Sequence, residues 1–244
     1  MYNQKHKGKK RKHKQNLPEW LKKEAFNTIR TNIELCGNDV KTIAITSCVP
    51  NEGKTEIAMN VAMTFAAAGK KVLLMDCDLR KSVLAARCKV PETTQSSLGL
   101  TSYLVGKSDI DDVITHTKMD ELDMIFSGSF PPNPVDLLSG ERFVNILKCV
   151  RERYDLVILD TPPVGAVIDP VVISHQCDGV ILVISSNTIK KKYALEIKNH
   201  LVDADCKIIG TIINNVVQNE RKHYYYYYYY SDNMKTKSKG YYKS

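Results

Sequence analysis

The sequence predicts an α/β fold, a mostly parallel central sheet with helices on both faces. Three observations carry this. Short apolar runs rich in β-branched residues alternate with segments of helical spacing. Two of the runs, at 72–75 and 156–159, end in carboxylates, Asp76 and Asp160. A third, at 40–46, leads through Ser47-Cys48-Val49-Pro50-Asn51-Glu52-Gly53-Lys54-Thr55 into a helix-like stretch at 57–65. Parallel neighbours need a crossover, overwhelmingly right-handed and through a helix, so alternating units put every strand's carboxyl end on one edge. The polar residues closing those strands meet there, where open α/β sheets bind ligands.

Size and charge bound the rest. A chain of 244 residues with 43% apolar and 25% charged residues can bury one sizeable core. One domain over 18–218 is expected, between a basic tail at 1–17 and a flexible tail at 219–244. The formal charge of +8 would by itself point to nucleic acid, but residues 1–16 carry +7 and residues 219–244 carry +4, which leaves the body at −3. The folded part is mildly acidic, and no nucleic-acid partner is expected. Cys36, Cys48, Cys77, Cys88, Cys149, Cys177 and Cys206 make no C-x-x-C pair and no cluster with His, so they read as small buried thiols of a cytoplasmic protein. No apolar segment follows the basic N-terminus as a signal peptide requires, and the longest apolar runs fall far below the roughly 20 residues that span a bilayer.

Taken in order, the like-charge block from Lys5 to Lys14 cannot order itself. It either draws anionic lipid headgroups, at about 1 kcal/mol per basic residue near the surface, or is a solvated tail without a partner. A first helix over 18–35 would share Trp20, Ala25, Ile29 and Ile33 along one apolar stripe and stop before Gly37-Asn38. After the loop and its helix, Gly69-Lys70-Lys71 turns the chain into the strand that ends at Asp76. In an extended strand Asp76 and Asp78 would share a face, and two carboxylates side by side repel unless a cation such as Mg²⁺ lies near them; taken alone, Asp78 reads equally well as a cap. The pattern weakens over 82–120, with short helices at 98–105 and 110–114 around Gly106-Lys107. A strand at 122–126 leads to the rigid turn Ser127-Gly128-Ser129-Phe130-Pro131-Pro132-Asn133-Pro134 and a helix at 135–153 broken near Ser139-Gly140. The run ending Asp160-Thr161-Pro162-Pro163 has the form of a Walker B element, in which Asp160 holds a metal directly or through water. Helix 170–175, strand 179–184, helix 190–203 and strand 208–213 complete the alternation.

The segment at 47–55 reads as a phosphate-binding loop, and with its flanks it makes the expected fold a P-loop NTPase. Pro50, Asn51, Glu52, Gly53, Lys54, Thr55 and Glu56 form the expected nucleotide cradle, since successive backbone N–H groups and the unpaired donors of a helix start surround phosphates without charge cost. Gly53 lets the main chain approach, Lys54 reaches the β and γ phosphates, and Thr55 offers its hydroxyl to Mg²⁺. Cys48 stands where the spacing G-x-x-x-x-G-K-[ST] has its first glycine. Beyond the last strand, Tyr224, Tyr225, Tyr226, Tyr227, Tyr228, Tyr229 and Tyr230 are consecutive. About ten extended residues reach roughly 33 Å, enough to enter a site on that edge in the same or a neighbouring copy.

In this order the motifs resemble the bacterial tyrosine kinases, specifically the cytoplasmic capsular or exopolysaccharide kinases of the CpsD type. The resemblance covers residues 19–215 and the tail. It rests on the loop, Leu74-Met75-Asp76-Cys77-Asp78-Leu79-Arg80, Ser127-Gly128 with Pro131-Pro132-Asn133-Pro134 and Leu137-Leu138, Val157-Ile158-Leu159-Asp160-Thr161-Pro162-Pro163, and the tyrosine cluster. It implies a scaffold related to MinD and ParA ATPases, ATP and Mg²⁺, and autophosphorylation of tail tyrosines in trans that regulates polysaccharide synthesis and export. By the same resemblance Lys54 stabilises the β and γ phosphates, and Thr55, Asp78 and Asp160 serve the metal. Asp76 is the expected base, acting as charge shifts in the transition state because a tyrosine pKa of about 10 forbids outright deprotonation. Asn214 is expected at the adenine. The family's first helix carries Glu, Arg and Arg at intervals of three for ring assembly; here Glu24, Asn27 and Arg30 occupy those places, so a homo-oligomer is expected but with one arginine fewer. A transmembrane activator of the Wzz-like chain-length group, recruiting the chain to the inner face of the membrane, and a tyrosine phosphatase complete the implied partners. Two other readings compete: a MinD/ParA-like positioning ATPase, against which stand Ser47-Cys48-Val49 in place of that group's signature lysine, and a non-catalytic adaptor whose tyrosines dock another kinase's phosphates.

Overall fold

The computed structural model describes residues 18–90, 98–186 and 188–216. The tails expected at 1–17 and 219–244, with Tyr224 to Tyr230, lie outside them. Seven strands, β1 (Thr42–Ser47), β2 (Val72–Asp76), β3 (Thr115–His116), β4 (Leu122–Ile125), β5 (Leu156–Asp160), β6 (Gly179–Ser185) and β7 (Ile208–Asn214), form one sheet. Their order is β3-β4-β2-β5-β1-β6-β7. All neighbours are parallel except β3, which runs antiparallel to β4 at the edge. β1, β2 and β5 are buried at every position, which is why they read as unbroken apolar runs: a central parallel strand is covered on both faces.

The helices are α1 (Glu19–Glu34), α2 (Lys54–Ala66), α3 (Leu84–Arg87), α4 (Leu100–Leu104), α5 (Ile110–Val113), α6 (Pro134–Ser139), α7 (Glu141–Arg153), α8 (Asp169–Ser174) and α9 (Lys191–Asp203). Alternate strand residues feed two cores. On one face Ile43, Ile45, Leu74 and Ile158 pack against Ile57, Val61 and Phe65 of α2 and Ile33 of α1. On the other, Ala44, Leu73, Met75 and Leu159 meet Phe143, Ile146 and Val150 of α7, Ile173 of α8 and Leu201 of α9.

The stripe expected on α1 is corrected. Trp20 is 59% exposed, Ala25 is exposed too, and Phe26, Ile29 and Ile33 seat the helix. At about 100° per residue Trp20 lies roughly 220° around from Ile33, on the opposite side. The break at Gly140 is real: its backbone is extended between α6 and α7. At the amino end of the sheet, one oxygen of Asp178 accepts from the Lys41 amide at 2.9 Å, the Thr42 amide at 2.8 Å and the Thr42 hydroxyl at 2.9 Å. Arg151 bonds to that same oxygen and to the Asp39 carbonyl, tying α7 to the entry of β1. Among the described residues no helix is long and apolar enough to cross a membrane.

Candidate active site

The loop after β1 is held from inside. Glu52 is fully buried; one carboxylate oxygen accepts from the Val49 amide and the other from the Ser185 amide of β6, each at 2.9 Å. Its carboxylate fastens the loop to the sheet. Asn214, at the end of β7, donates from Nδ2 to the Glu52 carbonyl at 2.8 Å. That bond ties the end of β7 to the loop. Asn51 (φ 67°) and Gly53 (φ 92°) take left-handed backbone. Asn is among the few non-glycine residues that tolerate this, so a position glycine commonly fills is served without undue strain. At Gly53 a Cβ would also lie 2.3 Å from Asn214 Nδ2. Cys48 is buried, and burial, with the Glu52 charge adding, pushes its thiol up to about 12. It stays a neutral packing group at the place of the first glycine. Pro50 and Asn51 are exposed at the loop tip, and Glu56 pairs with Arg87 at 3.6 Å.

Three strands then deliver their charges together. Asp76 and Asp160 sit directly opposite in the β2/β5 register. Lys54, on the first turn of α2, places Nζ 3.2 Å from Asp78 Oδ2 and 3.7 Å from Asp160 Oδ1. All three carboxylates are buried. Asp76 accepts from the Asp78 amide at 3.2 Å and from the Ser82 hydroxyl. One oxygen of Asp78 caps the turn at the Lys81 amide, 3.0 Å away, as its capping reading expects, and the other reaches Lys54. Burial first, then the facing Asp160, raises the Asp76 pKa. Burial likewise raises Asp160, with Lys54 and the Thr55 hydroxyl pulling the other way.

This cluster carries more negative charge than one lysine offsets, and Asp160 Oδ1 is buried with no hydrogen-bond donor. The donor set, one hydroxyl and two carboxylates of Thr55, Asp78 and Asp160, suits a magnesium ion that completes its shell with phosphate and water oxygens. Among the described residues no group of three or more His, Cys, Asp or Glu side chains is placed to hold a metal ion.

Other members had no sequence signal or a weak one. Arg80 clamps the fully buried Asp169 of α8 through two bonds, 2.7 and 3.0 Å. It joins the turn after β2 to the segment after β5, and only its closeness to the Asp76 motif hinted at a role. Ser82 gave no hint. Glu24 and Arg30 lie on α1, where Arg30 reaches Glu34 at 3.8 Å.

A family model for the AAA domain matches residues 40–219. Tyrosine-protein kinase CpsD of Streptococcus agalactiae serotype III (strain NEM316) is 39% identical over 193 residues, 79% of this chain and 82% of that one. The chain belongs to the bacterial tyrosine-protein kinases. Tyrosine-protein kinase YwqD of Bacillus subtilis (strain 168) is 40% identical over 199 residues, 81% of this chain and 82% of its own. The kinase domain of Escherichia coli tyrosine kinase ETK has a TM-score of 0.76 at 32% identity, covering 80% of this chain and 76% of that one. The septum site-determining protein MinD from Pyrococcus horikoshii OT3, complexed with Mg-ADP, follows at a TM-score of 0.60 and 22% identity over 71% of this chain and 69% of that one, a likeness of fold alone. The tyrosine-kinase reading thus stands ahead of the positioning ATPase, on a P-loop scaffold that binds nucleotide.

Proposed function

We propose that this kinase moves the γ-phosphoryl group of ATP onto tyrosines of the C-terminal cluster of a second copy, and that the modification regulates synthesis and export of a capsular or exopolysaccharide. The observation that carries the reading is Lys54 held between Asp78 and Asp160, with Asp76 facing Asp160 from the next strand. Lys54 would leave its carboxylates for the β and γ phosphates as they enter the loop. Bound by Thr55, Asp78 and Asp160, magnesium would supply charge neutralisation along the phosphates. Asp76 receives the tyrosine proton as Oη bonds to the γ-phosphorus. The bond from that phosphorus to the β–γ bridging oxygen breaks, and ADP leaves with its electron pair. Such chemistry is mostly positioning and electrostatics, for which buried charges in fixed places are suited. A homo-oligomer through α1, with Glu24 and Arg30 at the contact, would bring one copy's tail to another's site. A transmembrane activator of the Wzz-like group would recruit the chain to the membrane, and a tyrosine phosphatase would reset it.

The test is to incubate the pure chain with ATP and Mg²⁺ and map phosphate by mass spectrometry. Phosphotyrosine within Tyr224 to Tyr230 is expected. Lys54→Met should abolish its own labelling, a loss of at least a hundredfold, while accepting phosphate from a wild-type copy. A mutant that stays unlabelled in the mixture rules out transfer between copies, and inorganic phosphate as the sole product rules out the kinase reading.

A further inference from the structure

β7 closes the sheet on the side away from β4, and among the described residues no strand pairs with its outer edge. The opposite edge is the two-residue β3, too short to template further pairing. None of the seven positions of β7 is buried, whereas its neighbour β6 is buried at all but one. Its isoleucines are left partly in water on both faces. Ile208 packs toward the core of α9, Ile209 and Ile212 toward that of α1, and Ile213 is 53% exposed. The amino end of the strand is guarded: the β6/β7 register slips between Val180 and Ile181, which bulges β7 at Ile209, and the Cys36 thiol lies 4.0 Å from the Ile209 carbonyl. Over 210–214 the register is unbroken, and the run Gly-Thr-Ile-Ile-Asn holds neither charge nor proline. Ser186 donates to the Asn214 carbonyl, so Asn214 and Ile212 bond toward β6, and the alternation of a parallel ladder turns the N–H and C=O groups of Thr211 and Ile213 outward. An unguarded apolar edge of this kind pairs with another strand unless something covers it.

We propose that the cover is the chain's own tyrosine cluster, Tyr224 to Tyr230, laid antiparallel along β7 as an added strand, so that the tyrosines are stored on the flank of the sheet. Reach and direction agree. Asn215, the residue after β7, has a φ of 54° and turns the chain out of the strand line. The nine residues 215–223 suffice for an antiparallel return but not for the crossover a parallel one needs. So short a tether holds the cluster at the edge at an effective concentration on the order of mM, ahead of any second copy in dilute solution. Composition agrees too: tyrosine favours strands, and aromatic side chains pair across strands with β-branched ones such as Thr211 and Ile213. Seven identical residues offer the same contacts to the open stretch of β7 in more than one register.

β7 lies four strand spacings from β2, about 19 Å, so a cluster held there stands clear of Asp76. Each phosphate would set up to about two negative charges beside the isoleucines, so the edge takes the unmodified tail and expels the modified one. Storage of the tail does not require the kinase reading; only its consequence for labelling does.

Thr211 is exposed, so Thr211→Pro removes an outward N–H at an edge position where proline is tolerated, and Thr211→Val keeps that N–H. Tyr227→Pro breaks the added strand from the tail side and leaves the body untouched. The full chain, without ATP, is treated with chymotrypsin, and cleavage within 224–230 is followed by mass spectrometry against a synthetic peptide of residues 217–244. Titration with a fluorescent ADP reports that the body is folded. Wild type and Thr211→Val should be cut at least tenfold more slowly than the peptide, at a rate that does not change on dilution. Thr211→Pro and Tyr227→Pro should be cut within about twofold of the peptide's rate. Wild type cut as fast as the peptide overturns the proposal, as does Tyr227→Pro remaining protected or Thr211→Pro remaining protected while it binds ADP. Protection that falls on dilution also overturns it, because the edge would then be covered by a second copy.

Discussion

Glu52 is a carboxylate buried to satisfy two backbone amides, at Val49 and Ser185, in a loop otherwise built from main chain. Removing one acceptor oxygen while keeping the shape sets an NH₂ against one of those N–H groups and leaves a buried donor unmade, at a cost of about 1–3 kcal/mol. Glu52→Gln should therefore lower the melting temperature by roughly 2–4 °C per kcal/mol for a domain of this size, and weaken nucleotide binding because the loop loses its tie to β6. Unchanged melting and unchanged affinity would remove Glu52 from the role of loop fastener. The motif placed Glu52 correctly along the chain but could not say which way its side chain turns. That direction depends on Ser185, whose amide the fold brings in from far along the sequence. Ser82 was invisible for the same reason, since its partner Asp76 is a neighbour only after the turn forms.

Among the elements, the long central ones and even the short α4, α5 and α8 and the edge strand β7 were legible, whereas β3 and α3 were not. β1, β2, β5 and β6 are continuous apolar runs because both faces are covered, and α2, α7 and α9 repeat apolar residues at helical spacing toward one core each. β3 spans two residues paired only through β4, and α3 spans four, so neither has enough local pattern to announce itself. The segment after β5 shows how packing alone fixes a residue. At Gly165 a Cβ would lie 2.2 Å from the Cys48 carbonyl oxygen and 2.4 Å from the Tyr193 hydroxyl. Tyr193 can rotate away; the Cys48 carbonyl belongs to the main chain of the phosphate loop and cannot move without reshaping it. Gly165→Ala should weaken nucleotide binding tenfold or more, about 1.4 kcal/mol, with far-ultraviolet circular dichroism unchanged. A titration matching wild type would mean the two segments slide freely past each other.

At the scale of the whole molecule the two ends of the sheet do different work. The carboxyl end gathers Asp76, Asp78 and Asp160 in a buried cluster where burial and mutual repulsion raise two of the pKa values, an arrangement that costs stability until cations arrive. At the amino end Asp178 is a clasp. Burial by itself would push that carboxyl up, but the Arg151 guanidinium, the Thr42 and Lys41 amides and the Thr42 hydroxyl outweigh it and hold it below the usual carboxylate range. A depressed folded pKa means the ionised clasp stabilises the chain fully above the unfolded value near 3.9, and that contribution is lost as pH falls through the lower folded value. Asp178→Asn should thus lower stability at pH 7 by about 1–2 kcal/mol, a figure held down by solvent screening at a partly exposed pair. The gap to wild type should narrow as the pH drops below about 4. Denaturant melts at pH 7 and across the acid range measure it, and a gap that stays constant or widens toward low pH would show that the charge contributes nothing. Because the clasp lies at the opposite end from Lys54 and Asp76, tail phosphorylation per folded molecule should be the same in both proteins at pH 7.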